Sequence, residues 1–305
     1  MPVAREPRRP HIRTALLAAG LALALAACTA PGARSTPAAS IQHPGGDELV
    51  LRVEHRGGFV PAEYHLVRLP TFTLLGDGRA VVSGAMPAIY PGPLRPSLLE
   101  RRLTEAGMQA VLRAALESGQ LDADAEWRGV AQFVADASDE VFILNADGRS
   151  VTVSVYALGI AGGGEWDLPA KERAAHEALA ELSGKLQSLD TWLPADAWAD
   201  DEWRPFRPDA IRLVVRNADA DQPGTDELPF RSEPWPVPGD PAAFGAPAEL
   251  DGWRCGVVSG PEAEAWYAAL EQADQLTRWI GGGHRYQVWA RPLLPDEPLD
   301  CDPLL

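Results

Sequence analysis

The sequence is poor in cations: Lys and Arg total 27, and only two of these, Lys171 and Lys185, are lysine. Asp and Glu total 43, which leaves a formal charge of −16. Duplex DNA and RNA are polyanions that need clustered cations for binding, so a nucleic-acid partner is excluded. Cysteine is scarce as well, with Cys28, Cys255 and Cys301 far apart and no C-x-x-C pair. Such isolated thiols have no metal-ligand spacing. The apolar run at residues 15–27 falls short of the roughly 20 residues that a membrane-spanning helix requires. No repeat of fixed period is visible. What remains is a globular composition, 46% hydrophobic and 23% charged, in a chain of 305 residues that is long enough for about two domains.

The N-terminus carries the plainest signal. Arg5, Arg8, Arg9 and Arg13 precede the apolar run, which ends in Leu25-Ala26-Ala27-Cys28. A basic segment, a short apolar segment and small residues before a cut site make a secretory signal. Leu-Ala-Ala-Cys resembles the lipobox of bacterial lipoproteins, a resemblance confined to residues 1–28. It implies removal of residues 1–27 as a signal peptide, with a diacylglyceryl group on the Cys28 thiol. It further implies a mature chain anchored in the cell membrane by lipid (palmitate among the acyl chains) on its extracytoplasmic face. An ordinary signal peptide is the alternative. Arg8-Arg9 is followed by Pro-His-Ile, which departs from the twin-arginine pattern.

Cleavage would remove four Arg and one Glu and take the charge from −16 to −19. An anionic body beside an anionic membrane surface must be held by its lipid rather than by electrostatics. Residues 28–46 lack apolar periodicity and read as a lipidated flexible tether. With Cys28 acylated, Cys255 and Cys301 are left as a pair in an oxidising compartment, where a disulfide is expected; two free thiols are the alternative. The bond would staple the C-terminal tail to the body.

The remaining pattern predicts an α+β fold of two small antiparallel-sheet-plus-helix units. The first covers 47–193 in the order ββ(β)αββα. Leu49, Leu51 and Val53 alternate as a strand, 65–75 reads as a second extended stretch, and Gly76-Asp77-Gly78 turns into a strand at 79–83. A Pro-rich loop spans 86–96. Thr104 opens a helix with Met108, Val111, Leu112 and Ala115 on one face, and a hairpin turns at Asn145-Ala146-Asp147-Gly148. Pro169 opens a second helix. Residues 194–208 read as a linker, and 209–305 as the smaller unit with the C-terminal disulfide. In that unit, strands at 211–216 and 253–258 flank an acidic, Pro-rich excursion. Ser259 to Glu262 fits a capping box for a helix carrying Trp266, Leu270, Ala273, Thr277 and Ile280 up to Gly281, before a last strand at 286–290.

Motifs for chemistry mostly fail. Glycines at 159–164 lack the G-x-G-x-x-G spacing of a dinucleotide site. Asp219, Asp221, Gly224, Asp226 and Glu227 invite comparison with a calcium loop, but Pro223 and Phe230 occupy two EF-hand ligand positions. His55 and His65, flanking Gly57-Gly58 with Glu54 and Glu63 alongside, could contribute to a zinc site if they faced each other across a hairpin. Ser259 is outside a G-x-S-x-G elbow. No catalytic, cofactor-binding or metal-ligating residue is therefore assigned, and no cofactor. Ten tryptophans could pack the core or present stacking surfaces. The functional expectation is a membrane-anchored extracytoplasmic lipoprotein that binds or scaffolds at the cell envelope, with an envelope protein or glycan as partner. The alternative is an envelope hydrolase, metal-dependent through His55 and His65.

Overall fold

The computed structural model describes residues 39–160, 167–221, 228–248 and 250–302, so Cys28 and the lipobox lie outside the described residues. The first apolar alternation forms strand β1, Leu49–Gly57. The expected extended stretch at 65–75 divides instead into a short helix α1, Ala62–Val67, and a strand β2, Phe72–Leu75. Pro61 and Pro70 explain the division: the first begins the helical turn and the second cannot continue one. Strand β3, Arg79–Ser83, follows the glycine turn, and a strand unforeseen by the periodicity, β4, Leu98–Arg102, follows the Pro-rich loop. Helix α2, Glu105–Glu117, starts where Thr104 predicted, with the Thr104 hydroxyl accepting from the Gly107 amide at 3.2 Å.

A short strand β5, Ala125–Trp127, precedes the hairpin of β6, Ser138–Ala146, and β7, Arg149–Tyr156. Asp147 and Gly148 both have positive φ (50° and 69°), the two-residue turn that matches strand twist. Helix α3, Ala170–Gln187, follows Pro169. These strands, with β8 at Arg204–Pro205, form an eight-stranded sheet in the order β5-β7-β6-β1-β2-β3-β4-β8. Only β5 and β7 run parallel. Val111 and Leu112 of α2 and Leu179 and Leu182 of α3 bury against Phe72, Leu74, Phe142 and Val153 of the sheet. This is the larger core.

The second sheet comprises β9, Ala210–Asn217; β10, Arg231–Pro234; β11, Ala246–Pro247; β12, Trp253–Ser259; β13, Thr277–Gly281; and β14, His284–Pro292. Its order is β10-β13-β14-β9-β12-β11, with β10 and β13 parallel and the other pairs antiparallel. Helix α4, Pro261–Glu271, covers one face, with Trp266 and Leu270 against Leu213, Val215, Trp279 and Val288.

Two expectations in this region are corrected. The capping box does not form: Ser259 ends β12, and the helix N-cap is Gly260 at φ 56°, which has no side chain to cap with. The helix also stops at Glu271 rather than reaching Ile280. Thr277, Trp279 and Gly281 alternate with Arg278 and Ile280 as a strand, and Gly282-Gly283 make the hairpin to β14.

The fold is thus α+β, with two sheets that each carry helix on one face. Residues 40–305 cluster as one unit. The segment 194–208 packs on the first sheet: Arg204 and Pro205 pair with β4, Trp198 meets Trp203 edge-on at 5.6 Å, and Trp203 donates to Asp190. The end of the composition-defined tether is docked as well. Ile41 exchanges two hydrogen bonds with the Gln109 side chain, and Gln42 binds the turn at Asp147.

The second faces of the two sheets meet through the C-terminal tail. Val81 and Leu98 of the first sheet bury with Phe206 and with Leu294 of the tail. Arg52 on β1 donates to both oxygens of Asp296 (2.8 and 2.9 Å), while Arg291 on β14 donates to both oxygens of Glu297 (2.9 and 2.6 Å). The sulfurs of Cys255 and Cys301 are 2.02 Å apart, at disulfide distance, beside Leu66, Val67, Trp253 and Trp289. Trp253 and Trp289 stack with centroids 4.4 Å apart.

Candidate functional site

A loop from the first sheet reaches across to the second. Residues 84–97 leave β3 and return to β4, closed at the base by the Gly84 amide donating to the Ser97 carbonyl (2.8 Å). Its tip docks on the segment between α4 and β13. Leu94 donates to the Ala273 carbonyl (3.1 Å), Gln275 donates to the Gly92 carbonyl (3.0 Å), and Gly92 donates back to the Gln275 side chain (2.8 Å). This strap roofs a cleft of about 1060 Å³ between the sheets. Helix α1 forms the opposite wall, held by Arg68, whose guanidinium donates to the His55 and Gly57 carbonyls and whose own carbonyl accepts from Arg291.

The floor is the helix-free face of the second sheet. Strand alternation sends Trp279, Tyr286, Val288 and Val215 toward α4, so their neighbours point the other way. Arg212, Arg216, Arg278, Arg285 and Arg291 all lie on that other face, and four of them hydrogen-bond acidic residues from outside the sheet, Arg216 and Arg291 by guanidinium to carboxylate and Arg212 and Arg285 through backbone groups. Glu297 holds Arg291, Asp221 holds Arg216 in a two-point pair (2.7 and 3.0 Å), Asp219 accepts from the Arg285 amide (2.8 Å), and the Asp300 carbonyl accepts from Arg212. Arg278 is the exception. It is 6% exposed and lines the cleft, with Nη2 3.5 Å from the Asp221 carboxylate already engaged by Arg216. Its Nη1 donates to the backbone carbonyls of Gln275 and Thr277, and its buried Nε has no hydrogen-bond partner among the described residues. Burial pulls its pKa below the usual arginine range, and Asp221 opposes that shift.

The walls are mainly apolar, including Val67, Leu69, Leu94 and Phe230. Apolar side chains also crowd the mouth: Phe59 is 85% exposed, and Tyr64, Met86, Ile89 and Tyr90 are exposed as well. Large apolar groups left in water beside a cleft mark interaction sites more often than scattered surface residues do. Among the described residues, no tryptophan is one of the large hydrophobics left exposed. Trp266 and Trp279 are core residues, which is the packing role rather than the stacking surface.

The other candidate sites resolve differently. His55 and His65 are not opposed on a hairpin, because β1 pairs His55 with Glu140 on β6 while His65 sits in α1. No group of three or more metal-ligating side chains occurs among the described residues. Of the acidic loop, Asp226, Glu227 and Gly224 lie outside the described residues, and Asp219 and Asp221 are taken up by His284 and arginines. Gly162 to Gly164 also lie outside them.

The Asp219 carboxyl is held down to about 2, chiefly by the Arg285 amide and then by the His284 ring nitrogen at 2.6 Å. A depressed folded pKa gives stability that is present above the unfolded value near 4 and lost as pH falls toward 2. The Asp219→Asn variant is therefore expected to lose part of the acid limb of stability between pH 4 and 2. Parallel urea titrations at pH 7, 4 and 2 check this; identical pH dependence in both proteins would refute it.

Sequence reasoning missed Arg278 because its segment was read as helix. The signal was present in the alternation of Thr277, Trp279 and Gly281 before Gly282-Gly283. Comparison with protein-family models, with curated proteins and with solved structures found no match to this chain.

Proposed function

We propose that this protein is a membrane-anchored extracytoplasmic lipoprotein that works by binding a ligand between its two sheets. The anchor rests on Leu25-Ala26-Ala27-Cys28 behind a basic, apolar leader. The observation that carries the binding role is the cleft: concave, largely apolar, roofed by a loop and floored by a buried, under-partnered arginine. Sites of this kind enclose an apolar body and fix it with a few polar groups. Among the described residues no helix is long and apolar enough to cross a membrane, so a lipid on Cys28 would supply the attachment.

In cells fed an alkyne-tagged palmitate, the wild-type chain is expected to take up label and to sediment with membranes. The Cys28→Ala variant is expected to lose the label and to shift out of the wild-type band. A Cys28→Ala variant that still labels would overturn the anchor.

A further inference from the structure

The floor of the cleft shows what its ligand must carry. On the arginine face of the second sheet, Arg216 and Arg291 each hold a carboxylate in two-point geometry and the Arg212 and Arg285 guanidiniums donate to the backbone carbonyls of Asp300 and Asp219, whereas Arg278, the one of the five that lines the cleft, only approaches the carboxylate that Arg216 holds. Among the described residues, two guanidiniums sharing one carboxylate leave one positive charge unmatched in a place that water barely reaches, an unfavourable arrangement unless another anion completes it. Among the described residues the cleft wall carries a single carboxylate, Glu63 on α1, against Arg68 and Arg278. The Nη1 edge of Arg278 is spent on backbone carbonyls; on the other edge Nε has no hydrogen-bond partner among the described residues, and Nη2 has the Asp221 carboxylate at 3.5 Å. That planar pair of donors matches the two oxygens of a carboxylate.

We propose that the cleft takes a small amphiphile, an apolar body bearing one carboxylate, with its head paired to Arg278. The inference rests on the cleft being the ligand site. A single negative charge suits the one net positive charge of the described lining, Arg68 and Arg278 against Glu63; a doubly charged phosphate monoester would meet stronger repulsion from Asp221 beside Arg278. The apolar walls and the exposed Tyr64, Met86 and Tyr90 at the mouth receive the body. Phe230 lies over the Arg278 guanidinium, 4.0 Å from ring centroid to Cζ, and covers it. The head reaches Nε as this half-buried ring turns aside.

The test is calorimetric titration of the full chain in lipid nanodiscs with octanoate, 1-octanol and octyl phosphate at pH 8, with empty discs as the blank. Octanoate is expected to bind about tenfold or more tighter than octanol, the gain from one charge-assisted pair, and tighter than octyl phosphate. In Arg278→Gln the octanoate advantage should vanish while octanol affinity holds, which also shows that the cleft remains formed. Phe230→Ala should bind octanoate at least as tightly as wild type. Equal affinity of octanoate and octanol in the wild-type protein would overturn the carboxylate and leave the cleft as a neutral apolar site. Tighter octyl phosphate would overturn the single charge. No binding of any of the three would overturn the cleft itself as the ligand site. The wild-type comparison decides the matter even if Arg278→Gln fails to fold.

Discussion

Replacing Arg52 by alanine is expected to cost about 3–5 kcal/mol of folding stability, the largest effect of any single substitution considered. Arg52 leaves the first sheet and donates to both oxygens of Asp296 on the tail, with Glu297 at 3.8 Å. All three groups are buried or nearly so, and Asp296 and Glu297 titrate in opposite directions. Burial and the neighbouring Glu297 push the Asp296 carboxyl up despite Arg52. The two bonds from Arg291 bring Glu297 down in spite of its burial. Removing Arg52 leaves Asp296 as an uncompensated buried charge, which is where the cost arises. A buried pair of this kind contributes little net stability relative to well-packed apolar side chains, because desolvation offsets its attraction. The double variant Arg52→Met/Asp296→Leu is therefore expected to unfold within about 1–2 kcal/mol of wild type. Urea unfolding of Arg52→Ala and of the double variant measures this. A double variant no more stable than Arg52→Ala would show that the pair's charge, rather than its isolation, is what holds the sheets.

Loss of the Cys255–Cys301 link is expected to cost about 4 kcal/mol, the chain-entropy value for two residues separated by 46 positions. This loss should not be independent of the first. The link holds down the same tail that carries Asp296 and Glu297 to Arg52 and Arg291. Once released, the tail keeps its ion pairs only by ordering itself, so Cys255→Ser/Cys301→Ser combined with Arg52→Ala should cost less than the sum of the separate losses. Strict additivity, measured by urea unfolding with and without reductant, would separate the staple from the ion pairs.

Local rules placed most elements. Asn145-Ala146-Asp147-Gly148 specified its hairpin because few residues tolerate two successive positive φ angles. Thr104 specified the start of α2 through its hydroxyl, and two leftover cysteines specified a pair. Where the reading failed, tertiary contacts outweighed the local pattern. Trp266, Leu270, Ala273, Thr277 and Ile280 keep helical spacing, yet the second half of that run belongs to a strand clamped between β10 and β14. Leu98-Leu99-Glu100-Arg101-Arg102 has no clear alternation and becomes a strand because β3 and β8 flank it.

The site itself was not legible for a related reason. Its strap comes from residues 84–97, its wall from α1, and its floor from β13 and β14, almost two hundred positions apart in the chain. The five arginines of that sheet face alternate with apolar residues in three separate strands, and any one strand alone shows only an ordinary half-buried pattern. Their carboxylates arrive from loops and from the tail, so no spacing rule links them.

The central claim is that the ligand enters between the sheets, and hydrogen exchange of the full chain in nanodiscs tests it most directly. On saturation with octanoate, amides in the strap at residues 84–97, in α1 and in β13 are predicted to exchange more slowly, with the helices α2 and α3 behind the first sheet unchanged. Unaltered exchange in the strap and β13, with protection appearing elsewhere, would contradict the account.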